Sequence, residues 1–291
     1  MRLAYMYTSI SPYLLLCMSF ILAFCCVDRA IADDSVFTTK SLNGTYSVTS
    51  TGRGGQAAQA SLGISIYNGD GTFSGSIKTN LPGNLFGERI IREGNFEGTY
   101  TVNPDGTGTA TTPVSESIFV ITKTITNKQG IKVAQEATFI TKDLEPPTGN
   151  LVTVTIKRLP DEGKFNQSSL KGLYSLRGTG QGGLFPVDGV GSIAFDGEGK
   201  SSGPFKQNIR GASFSERAFY DLVLSNNYTV NPDGTGNLIP PAGPDGEADF
   251  VITKAKVVDG VKVATEFFFI TKGTGPVDGN LGLGFFTSVG N

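Results

Sequence analysis

Short segments of alternating apolar and polar residues follow one another along most of the chain. They are rich in β-branched and aromatic residues and are separated by Gly, Asn and Asp, which is typical of β-strands joined by turns. The strands predicted for the first half are Thr45–Ser50, Ala60–Tyr67, Thr72–Thr79, Arg89–Arg92, Phe96–Val102, Gly106–Thr111, Ile118–Thr126, Ile131–Thr141 and Leu151–Lys157. After the N-terminal segment, no stretch keeps an apolar period of 3.6 residues, so the pattern predicts an all-β chain.

The same succession of segments occurs twice. Ser41–Ser47 (SLNGTYS) is repeated in the second half of the chain as Ser169–Ser175 (SLKGLYS), and Asn103–Gly108 recurs unchanged as Asn231–Gly236. The repeated unit is much longer than a solenoid repeat of about 20–50 residues. It is long enough for a domain with its own core, so the sequence predicts a tandem duplication of one domain.

The two copies align without a gap from Ser41 to Gly108 of the first copy. The alignment then shifts before Phe119 and Phe250, because the second copy has extra residues around Pro240–Pro244, and Glu136 aligns with Glu266. The predicted organisation is a signal peptide at 1–32, a first domain at 41–158, a linker at 159–168 and a second domain at 169–288.

Each domain is predicted to be a small closed barrel of about eight antiparallel strands. Closure removes the unpaired edge strands that an open meander leaves exposed. A sandwich of two packed sheets is the alternative. Within each barrel, Asn68–Gly71 and Asp196–Gly199 are predicted to be tight hairpin turns.

Two predicted strands, Phe119–Ile121 and Phe267–Ile270, are apolar on both faces. One face of each is expected to line a barrel interior. The outer face needs a cover, since large exposed apolar patches are unusual. We expect this cover to be the other barrel or, in a homodimer, a second copy of the chain.

The N-terminal segment has the pattern of an export signal. An apolar stretch, Tyr13–Val27, is followed by the small-residue sequence Ala30-Ile31-Ala32. This predicts a secretory signal peptide cleaved after Ala32 and a secreted or periplasmic protein. An uncleaved anchor is the alternative, but the stretch is shorter than the roughly 20 residues of a spanning helix. No membrane span is expected after cleavage.

Composition excludes several classes of function. The formal net charge is −2, so nothing favours nucleic acid as a partner. The chain contains no histidine, and its three cysteines, Cys17, Cys25 and Cys26, all lie within the predicted signal peptide. The mature chain therefore lacks the residues for Ser-His-Asp or Cys-His catalysis and for a His-ligated zinc site. We expect no cofactor, no metal and no catalytic residue.

Polar residues that recur in both copies are the candidates for ligand binding. A strand glutamate that points into a barrel needs a partner, and a nearby arginine is able to supply one. The alternative for such residues is a salt bridge at the rim or on the outer face. Two tyrosines are expected in the cores. The candidates are Glu136, Glu266, Arg89, Arg217, Tyr46 and Tyr174.

The turn sequences carry a family resemblance. Gly-x-Tyr at Tyr46 and Tyr174 is followed by Phe195–Gly199 (FDGEG) and then by Tyr228–Gly236 (YTVNPDGTG), with counterparts in the first copy. This succession resembles a group of bacterial secreted proteins, mostly uncharacterised, with allene-oxide-cyclase-like or lipocalin-like barrels. The resemblance covers both repeats and implies eight-stranded barrels with an apolar cavity. It carries over no catalytic residue.

Three functions remain open. The first is a non-enzymatic binding or structural module that holds a small apolar or amphipathic ligand. The second is a cavity-type cyclase or isomerase, which a cavity of several hundred Å³ with an inward glutamate would favour. The third is an envelope or matrix protein that acts through its surface, and filled interiors would favour it.

Overall fold

A computed structural model describes most of the chain. The described residues are 36–53, 58–83, 88–143, 151–181, 186–211, 216–241, 246–272 and 281–290. The predicted signal peptide at 1–32 lies outside the described residues, as do residues 242–245 of the predicted insertion.

Eight antiparallel strands of the first repeat form a closed barrel, called the N-barrel below. The strands are β1 (Asn43–Arg53), β2 (Gln59–Asn68), β3 (Thr72–Pro82), β4 (Arg89–Val102), β5 (Thr107–Thr112), β6 (Ser115–Thr126), β7 (Lys132–Asp143) and β8 (Leu151–Arg158). Each strand pairs with the next along the chain, and β8 pairs with β1 to close the sheet. The predicted barrel is confirmed, and the alternative of a sandwich is wrong.

The second repeat forms a second closed barrel, the C-barrel. Its strands are β9 (Lys171–Gln181), β10 (Val187–Asp196), β11 (Lys200–Arg210), β12 (Arg217–Val230), β13 (Thr235–Ile239), β14 (Ala248–Val258), β15 (Val261–Thr271) and β16 (Leu281–Ser288). Pairing of β16 with β9 closes this sheet. The described fold is therefore two tandem antiparallel barrels of eight strands each.

One boundary prediction is wrong. The sequence pattern separates Arg89–Arg92 from Phe96–Val102, but both belong to the single strand β4, which pairs continuously with β3 from Arg89 to Thr99. The polar residues between them, Glu93-Gly94-Asn95, are exposed and break the apolar alternation without breaking the ladder. Backbone pairing in a closed sheet does not require an apolar side chain at every inward position.

The identical sequence Asn103–Gly108 and its repeat are hairpin turns. Asp105 Oδ1 accepts hydrogen bonds from the backbone N–H (2.9 Å) and the hydroxyl (2.7 Å) of Thr107. These bonds hold the pKa of Asp105 below its ordinary value. Gly106 has φ +87°, which L side chains rarely adopt. The most similar stretch of the two repeats is therefore preserved by turn geometry.

A short 3-10 turn precedes each barrel, at Thr39–Ser41 and Gln167–Ser169. The hydroxyl of Tyr100 donates to the carbonyl oxygens of Thr39 (2.9 Å) and Leu42 (2.7 Å), which ties the first turn to β4. In the C-barrel the hydroxyl of Tyr228 donates to the Leu170 carbonyl at 2.8 Å. These buried hydrogen bonds hold the turn against one end of each barrel.

The two barrels pack against each other through faces that do not correspond in the repeat. Strands β14, β15 and β16 of the C-barrel lie against β1, β2 and β8 of the N-barrel. Leu62 on the outer face of β2 belongs to the same apolar cluster as Phe268 and Ile270 on the outer face of β15. The outer side of Phe267–Ile270 is thus covered by the N-barrel. The outer residue of the other predicted apolar strand, Val120 on β6, is 43% exposed, and so is Ile140 of β7, the counterpart of Ile270, at 51%.

Candidate functional site

Strand alternation decides which side chains face the N-barrel interior. Successive residues of a strand point to opposite faces, so one parity lines the inside and the other the outside. On β2, Ser61 and Ser65 line the interior, whereas Leu62 and Ile64 belong to the cluster shared with the C-barrel. The small hydroxyl side chains of β2 leave space inside the barrel.

Aromatic rings fill one end of the N-barrel. Tyr67 contacts Tyr46, Phe73 and Tyr100, with ring centroids 5.4, 5.2 and 5.2 Å away. Burial raises the pKa of Tyr67 above its ordinary value and that of Tyr46 to about 12. Both phenols are neutral at neutral pH, and packed aromatic side chains close this end of the N-barrel interior.

A cavity of about 440 Å³ extends from Tyr67 and Phe73 towards the barrel end that holds the β5–β6 turn. Val114 in that turn lines the cavity and is 60% exposed, so this end reaches solvent. The apolar walls include Val48, Ile77, Phe96, Phe139, Val154 and Ile156. The hydroxyl side chains of the lining are Ser50, Ser61, Ser65, Thr79, Thr112, Ser115, Ser117 and Thr141.

Several of these hydroxyls form pairs across neighbouring strands. Ser61 and Thr79 are 2.9 Å apart, and so are Ser117 and Thr141. Ser65 is different, because it is 1% exposed and its Oγ has no hydrogen-bond partner among the described residues. A buried hydroxyl without a partner costs about 1–3 kcal/mol. Ser65 therefore places an unsatisfied buried hydroxyl in the wall of the cavity.

Arg92 is the cationic residue of the cavity lining, and its exposure places it near the opening. Among the residues that the structure describes, no carboxylate lies within salt-bridge distance of its guanidinium. Its fixed charge and forked donors suit a carboxylate or another planar anion. The cavity thus combines apolar walls, a band of hydroxyls and a positive charge near its opening.

The C-barrel interior is smaller and more apolar. Its cavity is about 280 Å³, and leucines and phenylalanines such as Phe205, Leu222 and Phe269 line it. When the two copies are aligned, Ser65 and Arg92 of the N-barrel correspond to Ile193 and Tyr220. The C-barrel interior therefore has less free space than the N-barrel interior, and the described lining of its cavity contains no charged side chain.

A phenylalanine cluster fills the centre of the C-barrel. Phe267 is fully buried and lies 4.4 Å from Phe286, 5.3 Å from Phe250 and 5.5 Å from Phe195, measured between ring centroids. The N-barrel residue that corresponds to Phe267 is Ala137. One aromatic side chain thus accounts for part of the difference in free space between the two barrels.

The two candidate arginines lie outside the cavities. Arg89 is on the outer face of β4, three residues from Arg92 and therefore of opposite parity. Its guanidinium donates to Asn80 Oδ1 (2.7 Å) and to the Ala58 carbonyl (2.8 Å), and it is 8% exposed. Arg217 makes the same bond to Asn208 Oδ1 at 2.8 Å but is exposed.

The candidate Glu266 joins the two barrels. Its carboxylate accepts hydrogen bonds from Lys157 on the N-barrel and from the Thr253 hydroxyl (2.6 Å), and Lys254 lies 3.3 Å away. Burial alone would raise its pKa, but these bonds and charges bring the pKa below its ordinary value. The expected pairing of this glutamate with an arginine is therefore replaced by a lysine from the other barrel.

The remaining candidates lie outside the two cavities. Glu136 is half-buried and lies opposite Lys123 and Lys157 in the ladders of β6 and β8. Tyr46 and Tyr174 are fully buried, and their hydroxyls donate to the carbonyls of Ala134 (3.0 Å) and Ala264 (2.8 Å). None of the six candidates is among the residues that line the two cavities.

Replacing Glu266 by glutamine is expected to lower the free energy of unfolding by about 1.5–3 kcal/mol at pH 7, the usual range for a hydrogen bond to a charged group. Because its pKa is lowered in the folded state, the ionised form is the one that folding stabilises. This contribution is present above the ordinary value of 4.5 and is lost as the pH falls through the folded pKa.

Urea unfolding of both proteins at pH 7 and pH 3 measures the effect. The difference in the free energy of unfolding between wild type and E266Q is expected to shrink at pH 3. Burial raises the pKa of Asp249, which changes stability with pH in the opposite direction, but Asp249 is present in both proteins and its contribution cancels in the difference. Lys254→Gln is the control, since Lys254 is half exposed and its ion pair contributes little. An equal loss in both variants would contradict the assigned role of Lys157.

Arg92 and Ser65 are not among the sequence candidates because no pattern in the sequence distinguishes them from other polar strand residues. The alternation of side chains along β4 would have placed Arg92 inside the barrel. Tyr100 is a core residue, so the even positions of β4 face inward, and Arg92 is one of them. Arg89 is a candidate because it recurs as Arg217, but recurrence does not separate a structural residue from a ligand-binding one. Ser65 and Arg92 lie where the two copies differ.

Comparison with known proteins found no family model that matches this chain and no match among the curated proteins. No helix in the described residues is long and apolar enough to cross a membrane. In the same residues, no group of three or more acidic, His or Cys side chains is placed to hold a metal ion.

Proposed function

We propose that the chain is an exported tandem-barrel protein whose N-barrel binds one small amphipathic molecule. The observation that carries this proposal is the difference between the two interiors. The N-barrel has an open, hydroxyl-lined cavity of about 440 Å³ with Arg92 near its opening, which is within the size range of small-molecule sites. Export rests on the N-terminal sequence alone.

The lining supports binding rather than catalysis. Its ionisable side chains are Arg92 and Tyr67, and burial raises the pKa of Tyr67 further above neutral pH, so its phenol is protonated. No described carboxylate is among the lining residues, so a general base of the kind expected for a cyclase or isomerase is not supported. An apolar body in the cavity and an anionic group at Arg92 account for the arrangement best.

Native mass spectrometry of the protein purified from its own host tests the proposal without a guess at the ligand. We expect a co-purifying small molecule, retained under gentle ionisation and released on denaturation. Protein that carries no additional mass, and that also fails to bind amphipathic anions added in solution, would contradict a binding role.

Arg92→Gln is expected to weaken the binding of decanoate about tenfold while leaving the binding of 1-decanol nearly unchanged. Decanoate and 1-decanol share the apolar chain, and only decanoate offers a carboxylate to the guanidinium. A tenfold loss equals about 1.4 kcal/mol, close to the lower end for a charge-assisted hydrogen bond, as suits a site near solvent. Isothermal titration calorimetry measures both affinities.

Arg89→Gln is the matched control, because Arg89 lies on the outer face of the same strand. R89Q is expected to lower the free energy of unfolding and to leave the ratio of the affinities for decanoate and 1-decanol unchanged. If R92Q weakened decanoate and decanol equally, the guanidinium would not recognise the anionic group and this part of the proposal would be wrong.

A further inference from the structure

An exposed apolar patch remains on the outer face of the N-barrel. It consists of Ile118, Val120, Ile140 and Leu151, which are between 43% and 61% exposed, and is called the N-barrel patch. These residues lie on the neighbouring strands β6, β7 and β8. Grouped exposed apolar residues of this kind mark interaction surfaces more often than isolated ones do.

The internal repeat shows what covers such a patch. In the alignment of the two copies, Val120, Ile140 and Leu151 correspond to Val251, Ile270 and Leu281 of the C-barrel. All three C-barrel residues are 0% exposed and belong to the cluster that includes Leu62 of the N-barrel. The N-barrel patch is therefore the counterpart of the face with which the C-barrel docks on its neighbour.

The C-barrel has a counterpart of the face that receives this contact. Val190 corresponds to Leu62 and is 59% exposed, whereas Leu62 is 1% exposed. In the N-barrel, Arg89 bonds to Asn80, and the Asn80 amide donates to the Thr271 carbonyl of the C-barrel. In the C-barrel, Arg217 bonds to Asn208 in the same way.

Phe219 lies directly across the ladder from Asn208 and is 80% exposed. Val190, Asn208, Arg217 and Phe219 together are called the C-barrel patch. Val190 and Phe219 lie on either side of the outward residues Lys206 and Asn208 of β11, so this patch combines two exposed apolar side chains with an amide donor.

We propose that copies of this chain associate head to tail, with the N-barrel patch of one copy packed on the C-barrel patch of the next. The contact repeats between chains the arrangement that the two barrels already have within one chain. Because the two patches are different surfaces, the interface is heterologous, and each added copy leaves a free patch at both ends. The expected product is a series of oligomers rather than a closed dimer.

Ile140→Lys and Val190→Lys test the proposal, since each places a charge in the centre of one patch only. In sedimentation velocity experiments, the weight-average sedimentation coefficient of the wild type is expected to rise with concentration, and each variant alone is expected to remain a monomer. An equimolar mixture of the two variants still has one intact patch of each kind. It is expected to form a discrete heterodimer and nothing larger.

Ile125→Lys is the matched control. Ile125 is 50% exposed on β6 of the same barrel, and its counterpart Lys256 is exposed outside the contact between the barrels. I125K is expected to associate like the wild type, and circular dichroism verifies that all three variants are folded. A wild type that stays monomeric up to its solubility limit, or a mixture that forms no heterodimer, would overturn the proposal.

Discussion

Replacing Ser65 by isoleucine is expected to reduce decanoate binding at least tenfold while raising the stability of the chain. Ser65 is buried in the wall of the N-barrel cavity, and the C-barrel has isoleucine at the corresponding position, Ile193. The substitution replaces one oxygen by three carbons and so fills part of the cavity with a side chain that this fold already accommodates.

Two effects of the substitution add to stability. It removes a buried hydroxyl that has no hydrogen-bond partner among the described residues. Such an unpaired hydroxyl destabilises the wild type by about 1–3 kcal/mol. It also buries additional methylene groups, each contributing about 0.8 kcal/mol. Overpacking opposes both effects, so we expect a net increase of about 1–2 kcal/mol in the free energy of unfolding.

Calorimetric titration with decanoate and urea unfolding measure the two outcomes on the same protein. Ser65→Ala is the matched control, because it removes the hydroxyl without filling the cavity. It is expected to keep decanoate binding within about threefold, a difference of less than about 1 kcal/mol. If S65I bound decanoate as tightly as the wild type, the ligand would not occupy the N-barrel interior.

Phe267→Ala is expected to lower the free energy of unfolding of the C-barrel by about 3–5 kcal/mol, the usual cost of truncating a buried aromatic residue. Phe267 is fully buried, and its ring contacts Phe286, Phe250 and Phe195. The alanine leaves a cavity that a closed sheet cannot collapse to fill. The substitution tests whether the C-barrel is stabilised by the side chains that occupy its interior.

Urea unfolding followed by circular dichroism in dilute solution measures this loss. Phe219→Ala is the matched control, since Phe219 is in the same barrel and 80% exposed. Exposed substitutions usually change stability by less than about 0.5 kcal/mol. A similar small change in F267A would contradict the packed interior of the C-barrel.

The fold was largely predictable because alternation and turns are local signals that the duplication repeats. Asn103–Gly108 and its copy mark the same hairpin turn in both barrels, and the eight-strand closure followed from strand number and the cost of free edges. The division of β4 was wrong because three exposed polar residues, Glu93-Gly94-Asn95, interrupt the alternation but keep their backbone pairs.

The candidate site was less predictable because it depends on long-range packing. Glu266 forms an ion pair with Lys157, which lies far earlier in the chain on the other barrel. No local sequence pattern indicates that contact. Recurrence in both copies selected Arg89 and Arg217, whose shared asparagine bond is structural. Arg92 and Ser65 became recognisable only when strand parity and barrel closure placed them around one cavity.

The number of decanoate molecules bound per chain tests the central claim most directly, because the claim assigns binding to the N-barrel alone. Native mass spectrometry across a titration with decanoate measures this number. We expect saturation at one molecule per wild-type chain. Saturation at two molecules per chain, or no binding at any concentration, would contradict the assignment of binding to the N-barrel alone.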